Sequence, residues 1–209
     1  MIYYDFYGAP DTLIDEFVRK AELGRLVTAS PNGTPHIGLY PFWPGDGRVE
    51  LHLHKDDEQL VDLAANPRCV FEVDEVLAVI PSYWVHPENA VMATAYHRTV
   101  TFECTATVTA DAEVLAAQQN HIMERYQPEG SYKPITAADP MYKGMIGMLH
   151  AVKLELGSCR AKFKLGQNRS PEKRLDIIRE LRARGRHSDD RAADAVQWTL
   201  DTEGQGPRC

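Results

Sequence analysis

Two histidines stand one residue apart in Arg48-Val49-Glu50-Leu51-His52-Leu53-His54. In a strand, positions i and i+2 share a face, so both imidazoles point the same way. Imidazoles so placed can ligate a metal or haem iron, or donate to a bound phosphate or ring. The same alternation suits polar residues on the solvated side of a half-buried sheet, with Val49, Leu51 and Leu53 turned to the core. His36 and His97 also fall in strand-like segments, and a three-histidine metal site is open to a fold that gathers them. Lys55-Asp56-Asp57-Glu58-Gln59 follows. Its acids suit a helix N-terminus as caps and as charges against the helix dipole, while Lys55 alone could reach a phosphate.

A second candidate is the corner Lys162-Phe163-Lys164-Leu165-Gly166-Gln167-Asn168-Arg169. Lys162 and Lys164 share one strand face, and Phe163 and Leu165 share the other. Gln167, Asn168 and Arg169 lie just before Ser170-Pro171-Glu172, which opens a helix with Ser170 as N-cap and Pro171 at its first position. Side-chain donors and free backbone N–H groups converge there, as an anion or a ring carbonyl requires. The alternative is a solvated basic corner. Aromatic residues cluster at Tyr40, Phe42 and Trp43 and at Tyr83 and Trp84, for stacking on a flat cofactor or for packing in the core. No GxGxxG, Walker loop, GxSxG or HExxH is present, so Rossmann, nucleotide-triphosphate and hydrolase readings have no motif behind them.

The elements that must position these groups are short. A helix is predicted from Pro10 to Glu22. Strands follow at Arg25–Ser30, through Pro35–Trp43 after an Asn32-Gly33 hairpin turn, and at Arg48–His54. Asp57–Ala65 reads as a helix. The runs from Cys69 and from Glu75 read as the fourth and fifth strands, and Tyr96–Ala110 as a long one. Asp111 caps a helix to Tyr126. Met148–Leu165 reads as a bent strand or strand pair around Gly157, and the last clear helix runs from Ser170 to Arg184. Many hairpins and few crossovers indicate an α+β fold, mainly an antiparallel barrel with helices covering its ends.

The 209 residues are 44% hydrophobic, enough for a real core. One domain is expected over 1–186, followed by a polar tail, 187–209, partly disordered, with a short helix near Ala192–Leu200. The formal charge of −7 argues against a generally nucleic-acid-binding surface. Cys69, Cys104, Cys159 and Cys209 show no CxxC spacing, and the first three sit in apolar strands as expected of reduced, buried thiols. The start Met1-Ile2-Tyr3-Tyr4-Asp5 lacks the basic and apolar runs of a signal peptide, and no stretch approaches the roughly 18 to 20 apolar residues of a membrane span. A cytoplasmic location is expected.

The segment Lys162–Gly185 resembles the C-terminal signature of the PaiB-type FMN-binding regulators, a "KxKLSQNRS" run leading into a helix. Weaker similarity reaches back over "AVIPSYW" and "LVTASPNGTPHIGLYPF", and "VELHLHKDDEQL" places His52 at a family histidine. The resemblance implies an FMN-binding split β-barrel, antiparallel and six-stranded with flanking helices, of the superfamily that includes the pyridoxamine-phosphate oxidases. It also implies a homodimer with FMN held through its phosphate. The oxidases carry an Arg-Lys pair before "LxANPR"; here "ANPR" stands at Ala65–Arg68 and the pair reads Glu58-Gln59. The phosphate charge must then come from His54, Lys55, Lys162 or Arg169. The cofactor-binding candidates are His52, His54, Lys55, Lys162, Lys164, Gln167, Asn168 and Arg169. Three functions follow from the resemblance. The first is FMN binding with a redox or transcriptional-regulatory role. The second is haem chemistry as in the similar piperazate synthases, with His52 or His54 on the iron. The third is a cofactor-free DNA-binding regulator.

Overall fold

The computed structural model describes residues 3–202; residues 203–209, the end of the expected tail, lie outside it. Seven strands form one sheet in the order β2-β1-β5-β6-β7-β4-β3, so β2 and β3 are its edges. They are β1 (Gly24–Ala29), β2 (Pro35–Tyr40), β3 (Trp43–Gly45), β4 (Arg48–His54), β5 (Arg68–Ile80), β6 (Thr94–Thr109) and β7 (Leu149–Lys164). The helices are α1 (Asp11–Lys20), α2 (Glu58–Ala65), α3 (Ala112–Tyr126), α4 (Pro140–Ile146), α5 (Pro171–Arg184) and α6 (Asp189–Asp201). β1 pairs antiparallel with β2 and β5, and β4 with β3 and β7. This is the expected α+β antiparallel class with one strand more than six. The run from Pro35 to Trp43 is two strands, because Pro41 has no N–H and the Phe42 N–H is donated to the Tyr126 hydroxyl at 3.1 Å. The reverse happens at 68–80, where two expected strands are one.

The chain divides into two compact units. The first comprises 18–73 and 101–159. Its core follows from strand alternation: Val49, Leu51 and Leu53 are 0%, 0% and 1% exposed, and they face Leu154, Val152 and His150 across the β4–β7 pair. β7 needs a glycine at 157, since a Cβ there would lie 2.8 Å from the Glu103 carbonyl oxygen. Asp57 caps α2 by accepting the Gln59 N–H, and Asp111 caps α3.

The second unit comprises residues 3–17, 74–100 and 160–202. Phe17 meets Phe163 edge to face at 5.4 Å. Ser170 caps α5 and Pro171 opens it, as its sequence predicts. Beyond residue 186, where a polar tail with a short helix near Ala192–Leu200 is expected, α6 is a longer, packed helix. Ala192, Ala193 and Val196 are fully buried, and the buried Arg174 of α5 donates to the Thr199 carbonyl at 3.0 Å. Asp189 anchors the start of α6 by accepting from Arg184 at 2.6 and 2.8 Å. Among the described residues no helix is long and apolar enough to cross a membrane.

Candidate functional site

The first unit holds an acid–histidine network around α2. Gln59 is 2% exposed, and its amide nitrogen donates to the Leu26 carbonyl (3.0 Å), the Thr28 hydroxyl (3.1 Å) and the His36 carbonyl (3.3 Å). Its amide oxygen accepts from the Tyr40 hydroxyl at 2.6 Å. Asp62, equally buried, accepts from the Thr28 hydroxyl at 2.6 Å and lies 2.7 Å from His36 Nδ1. His36 Nε2 is 3.5 Å from Glu58. Burial first, then the negative charges of Asp57 and Glu58, push the Tyr40 phenol up. This is where the split-barrel oxidases would carry their Arg-Lys clamp. Gln59 is instead a structural hub, and Asp57, Glu58 and Asp62 repel a phosphate dianion. The donor set here does not fit the group.

His52 and His54 lie on β4 of the same unit. His52 is half-buried, with Gln119 Nε2 2.9 Å from its Nδ1, and burial holds its pKa below the ordinary imidazole value. His54 is exposed, and its Nδ1 accepts the Asp56 N–H at 3.3 Å. Lys55 is exposed and its backbone N–H pairs with the Met148 carbonyl. Among the described residues no three His, Cys, Asp or Glu side chains gather as a metal site. His36 and His97 therefore do not complete a three-histidine centre: His36 is held by Asp62, and His97 Nδ1 sits 3.1 Å from the Thr99 hydroxyl. Of the clustered aromatics Tyr83 is exposed, and the others are engaged. Phe42 is buried against Phe71, Trp43 stacks on His121 at 4.6 Å, and Trp84 carries the Arg184 guanidinium at 4.7 Å.

The second unit gathers the cations. Lys162 and Lys164 leave the same face of β7, and Gly166 turns the chain into α5. At Gly166 φ is +89°, and a Cβ would lie 2.4 Å from the Tyr96 hydroxyl, so only glycine fits. Gln167 closes this turn: its side chain accepts the Leu165 N–H at 2.8 Å and donates to the Phe163 carbonyl at 2.5 Å. Asn168 is exposed. The Arg169 N–H bonds back to the Gly166 carbonyl, and one guanidinium nitrogen rests 3.4 Å from the Met92 sulfur. Lys164 donates to the Thr94 hydroxyl at 2.5 Å. Burial first, then Lys162 and Arg169, press the Lys164 ammonium below its ordinary pKa. Burial, then Lys162 and Lys164, do the same to His97. Tyr96 is pushed up to about 12 by burial, with Arg169 opposing. Lys162 also stands 5.7 Å over the ring of Tyr7.

The corner thus holds cations close enough to repel, faced by a hydroxyl, a thioether and aromatic rings. A phosphate fits this donor set: it supplies the negative charge that the cluster favours. Beside it, Tyr4 and Phe6 stack at 5.1 Å and 6°, and both are about half exposed. Thr94, Tyr96, His97 and Tyr7 enter this site from distant parts of the chain. Of these, the sequence marks His97 as a possible metal ligand, and the family resemblance sets Thr94, Tyr96 and His97 in Ala93–His97, a degraded copy of the family's "PTWNY" motif.

The sequence profile of the family described as "Putative FMN-binding domain" matches residues 2–157. The chain belongs to that family. No curated protein matches it. Among solved structures it is similar to a conserved hypothetical protein from Mycobacterium tuberculosis, 22% identical, with a TM-score of 0.59 over 78% of this chain and 91% of that one. It is also similar to a flavocytochrome from Azotobacter vinelandii (15%, TM-score 0.64, 84% and 78% covered). A third is an FAD and haem binding protein from Mycobacterium smegmatis (14%, TM-score 0.62, 81% and 77%). At these identities the likeness establishes the shared fold. The match to the FMN-binding family covers Tyr7, Thr94, Tyr96 and His97 and ends before Lys162.

Proposed function

We propose that this protein binds FMN with the phosphate on Lys162, Lys164 and Arg169, and serves an electron-transfer role toward a small molecule. The observation that carries the reading is the cationic corner: Lys162 and Lys164 leave one face of β7 beside Arg169, Lys164 donates to the Thr94 hydroxyl at 2.5 Å, and burial first, then Lys162 and Arg169, lower its pKa. An anion there converts mutual repulsion into three favourable contacts. Family membership supports FMN as the anion-bearing group. When bound, the flavin supplies one- or two-electron chemistry. The chain's own contribution is to anchor the phosphate, to fix Lys164 through Thr94, and to hold the turn through Gly166 and Gln167. A protonated phenol on Tyr96, kept so by burial, adds no competing negative charge.

Haem on His52 or His54 has less support. The Asp56 N–H donates to His54 Nδ1, which in the neutral ring leaves the proton on Nε2, and Gln119 Nε2 lies 2.9 Å from His52 Nδ1; neither ring offers an iron an unprotonated Nε2 in this hydrogen-bond arrangement. A homodimer is also part of the proposal, supported by the exposed Ile37 (66%) and Leu39 (52%) on the edge strand β2. The test is the absorption spectrum of the protein after reconstitution with FMN or with haemin. Flavin bands retained through gel filtration support the reading. Retention of haemin with loss of its single intense band in His52→Ala replaces it.

A further inference from the structure

The two free thiols of the first unit face each other. The Ala106 N–H donates to the Pro67 carbonyl at 2.8 Å, which sets β6 against β5. Two residues along each strand, this register puts Cys69 opposite Cys104. Their side chains turn to the same buried face, at 7% and 5% exposure, and Cys69 Sγ lies 3.9 Å from the Cys104 carbonyl. Directly opposite residues of an antiparallel pair stand about 4.5–5.5 Å apart at Cα, inside the window of about 4.4–6.8 Å that a disulfide spans. Cys159, by contrast, is half-buried and is not one of the free thiols, contrary to its expectation as a buried reduced thiol.

We propose that Cys69 and Cys104 are a reversible dithiol–disulfide pair, oxidised by a small hydroperoxide. The hydrogen bond received from Cys69, which outweighs burial, holds the Cys104 thiol below its ordinary pKa; the same bond and burial push Cys69 up. Cys104, whose thiol also donates to the Phe102 carbonyl at 3.5 Å, is assigned the attacking sulfur, and the single-cysteine variants test that order. Its thiolate forms an S–O bond to the peroxide as the O–O bond breaks, releasing an alcohol (water, from hydrogen peroxide) and leaving a sulfenic acid. Cys69 then attacks the Cys104 sulfur. An S–S bond forms, the S–O bond breaks, and the hydroxide leaves as water with the Cys69 proton. The two thiols lose two electrons in all, and the hydroperoxide takes them up. The residues are 35 positions apart, and the bond closes the segment that carries Thr94 and His97.

The test treats the folded protein with hydrogen peroxide, blocks remaining thiols, and maps peptides with and without a dithiol reductant. The expected result is a linked peptide pair, Cys69 with Cys104, that is absent before the peroxide, forms on treatment and is separated by reductant, while any link at Cys159 is the same before and after. Cys69→Ala should leave Cys104 trapped as a dimedone adduct, and Cys104→Ala should give no adduct at Cys69. Both thiols still free in folded protein, with linkage only after urea, would overturn the proposal. Linkage of either residue to any other cysteine, or between two chains, would overturn it too. The wild-type map needs no variant to fold.

Discussion

The network around α2 and the corner at the end of β7 are built from similar groups, and they resolve their charge in opposite ways. Around α2 each buried polar group meets its complement: Asp62 has Thr28 and His36, and Gln59 has three acceptors and one donor. Such a network stabilises the fold and offers little to a ligand. At the corner, cations are held beside cations, and Lys164 and Arg169 are met by a neutral hydroxyl and a thioether. Charged groups held beside like charges and met by neutral partners are where a ligand of opposite charge gains most, and the proposed phosphate site rests on that contrast.

Substitutions in the two regions should therefore differ in kind. The largest effect is expected for Arg169→Ala combined with Lys164→Ala. Loss of two charge-assisted contacts, each about 1.5–3 kcal/mol, should weaken FMN by at least about tenfold, read by flavin fluorescence titration, with little change in urea midpoint. Gln59→Leu should do the reverse. It takes the amide donor from the Leu26 and His36 carbonyls and leaves the Tyr40 hydroxyl to Asp57 alone, and should cost about 1–3 kcal/mol in urea unfolding. FMN affinity per folded molecule should be unchanged. Gly166→Ala tests how tightly the turn is specified. The positive φ and the close approach to Tyr96 should together cost about 1–3 kcal/mol, and the displaced Arg169 should lower FMN affinity as well.

A smaller effect is expected with pH. Lys164 and His97 both have depressed pKa values in the folded protein. A bound dianion restores each toward its ordinary value, so binding takes up protons. Affinity should fall as pH rises through the depressed His97 pKa toward its ordinary value near 6.5. His97→Gln should flatten that slope a few-fold in a titration series. In the first unit the sign is the other one. Burial alone would raise the Glu50 carboxyl, but hydrogen bonds with His121 and Arg48 outweigh it and hold it low. The stability it contributes is present above its unfolded pKa and is lost as pH falls through the folded one. Glu50→Gln should remove that acid-side loss in urea melts.

Local patterns carried part of this into the sequence. Ser170-Pro171 marks the start of α5, the alternation of β4 marks which face of Leu51 and His52 is which, and the run of Lys and Arg marks the corner. Partners from afar were not legible. Nothing local ties Thr94 to Lys164, 70 positions on, or Tyr96 to Gly166. The resemblance implies six strands and the sheet has seven; in the strand-by-strand reading the run at 35–43 divides at Pro41–Phe42, which depends on a hydroxyl from α3, while two runs at 68–80 join into one. The tail reading placed a short helix near Ala192–Leu200 but not its packing, because its buried stripe is alanine, which reads as weakly apolar until Arg184 and Asp189 fix the helix against α5.

The most direct test compares FMN with riboflavin, which lacks only the phosphate, by titration into the wild type and into the Lys162→Ala/Lys164→Ala/Arg169→Ala variant. The account predicts FMN at least about tenfold tighter in the wild type, with the preference gone in the variant. Equal affinity for both flavins in the wild type, or a preference that survives in the variant, would contradict it.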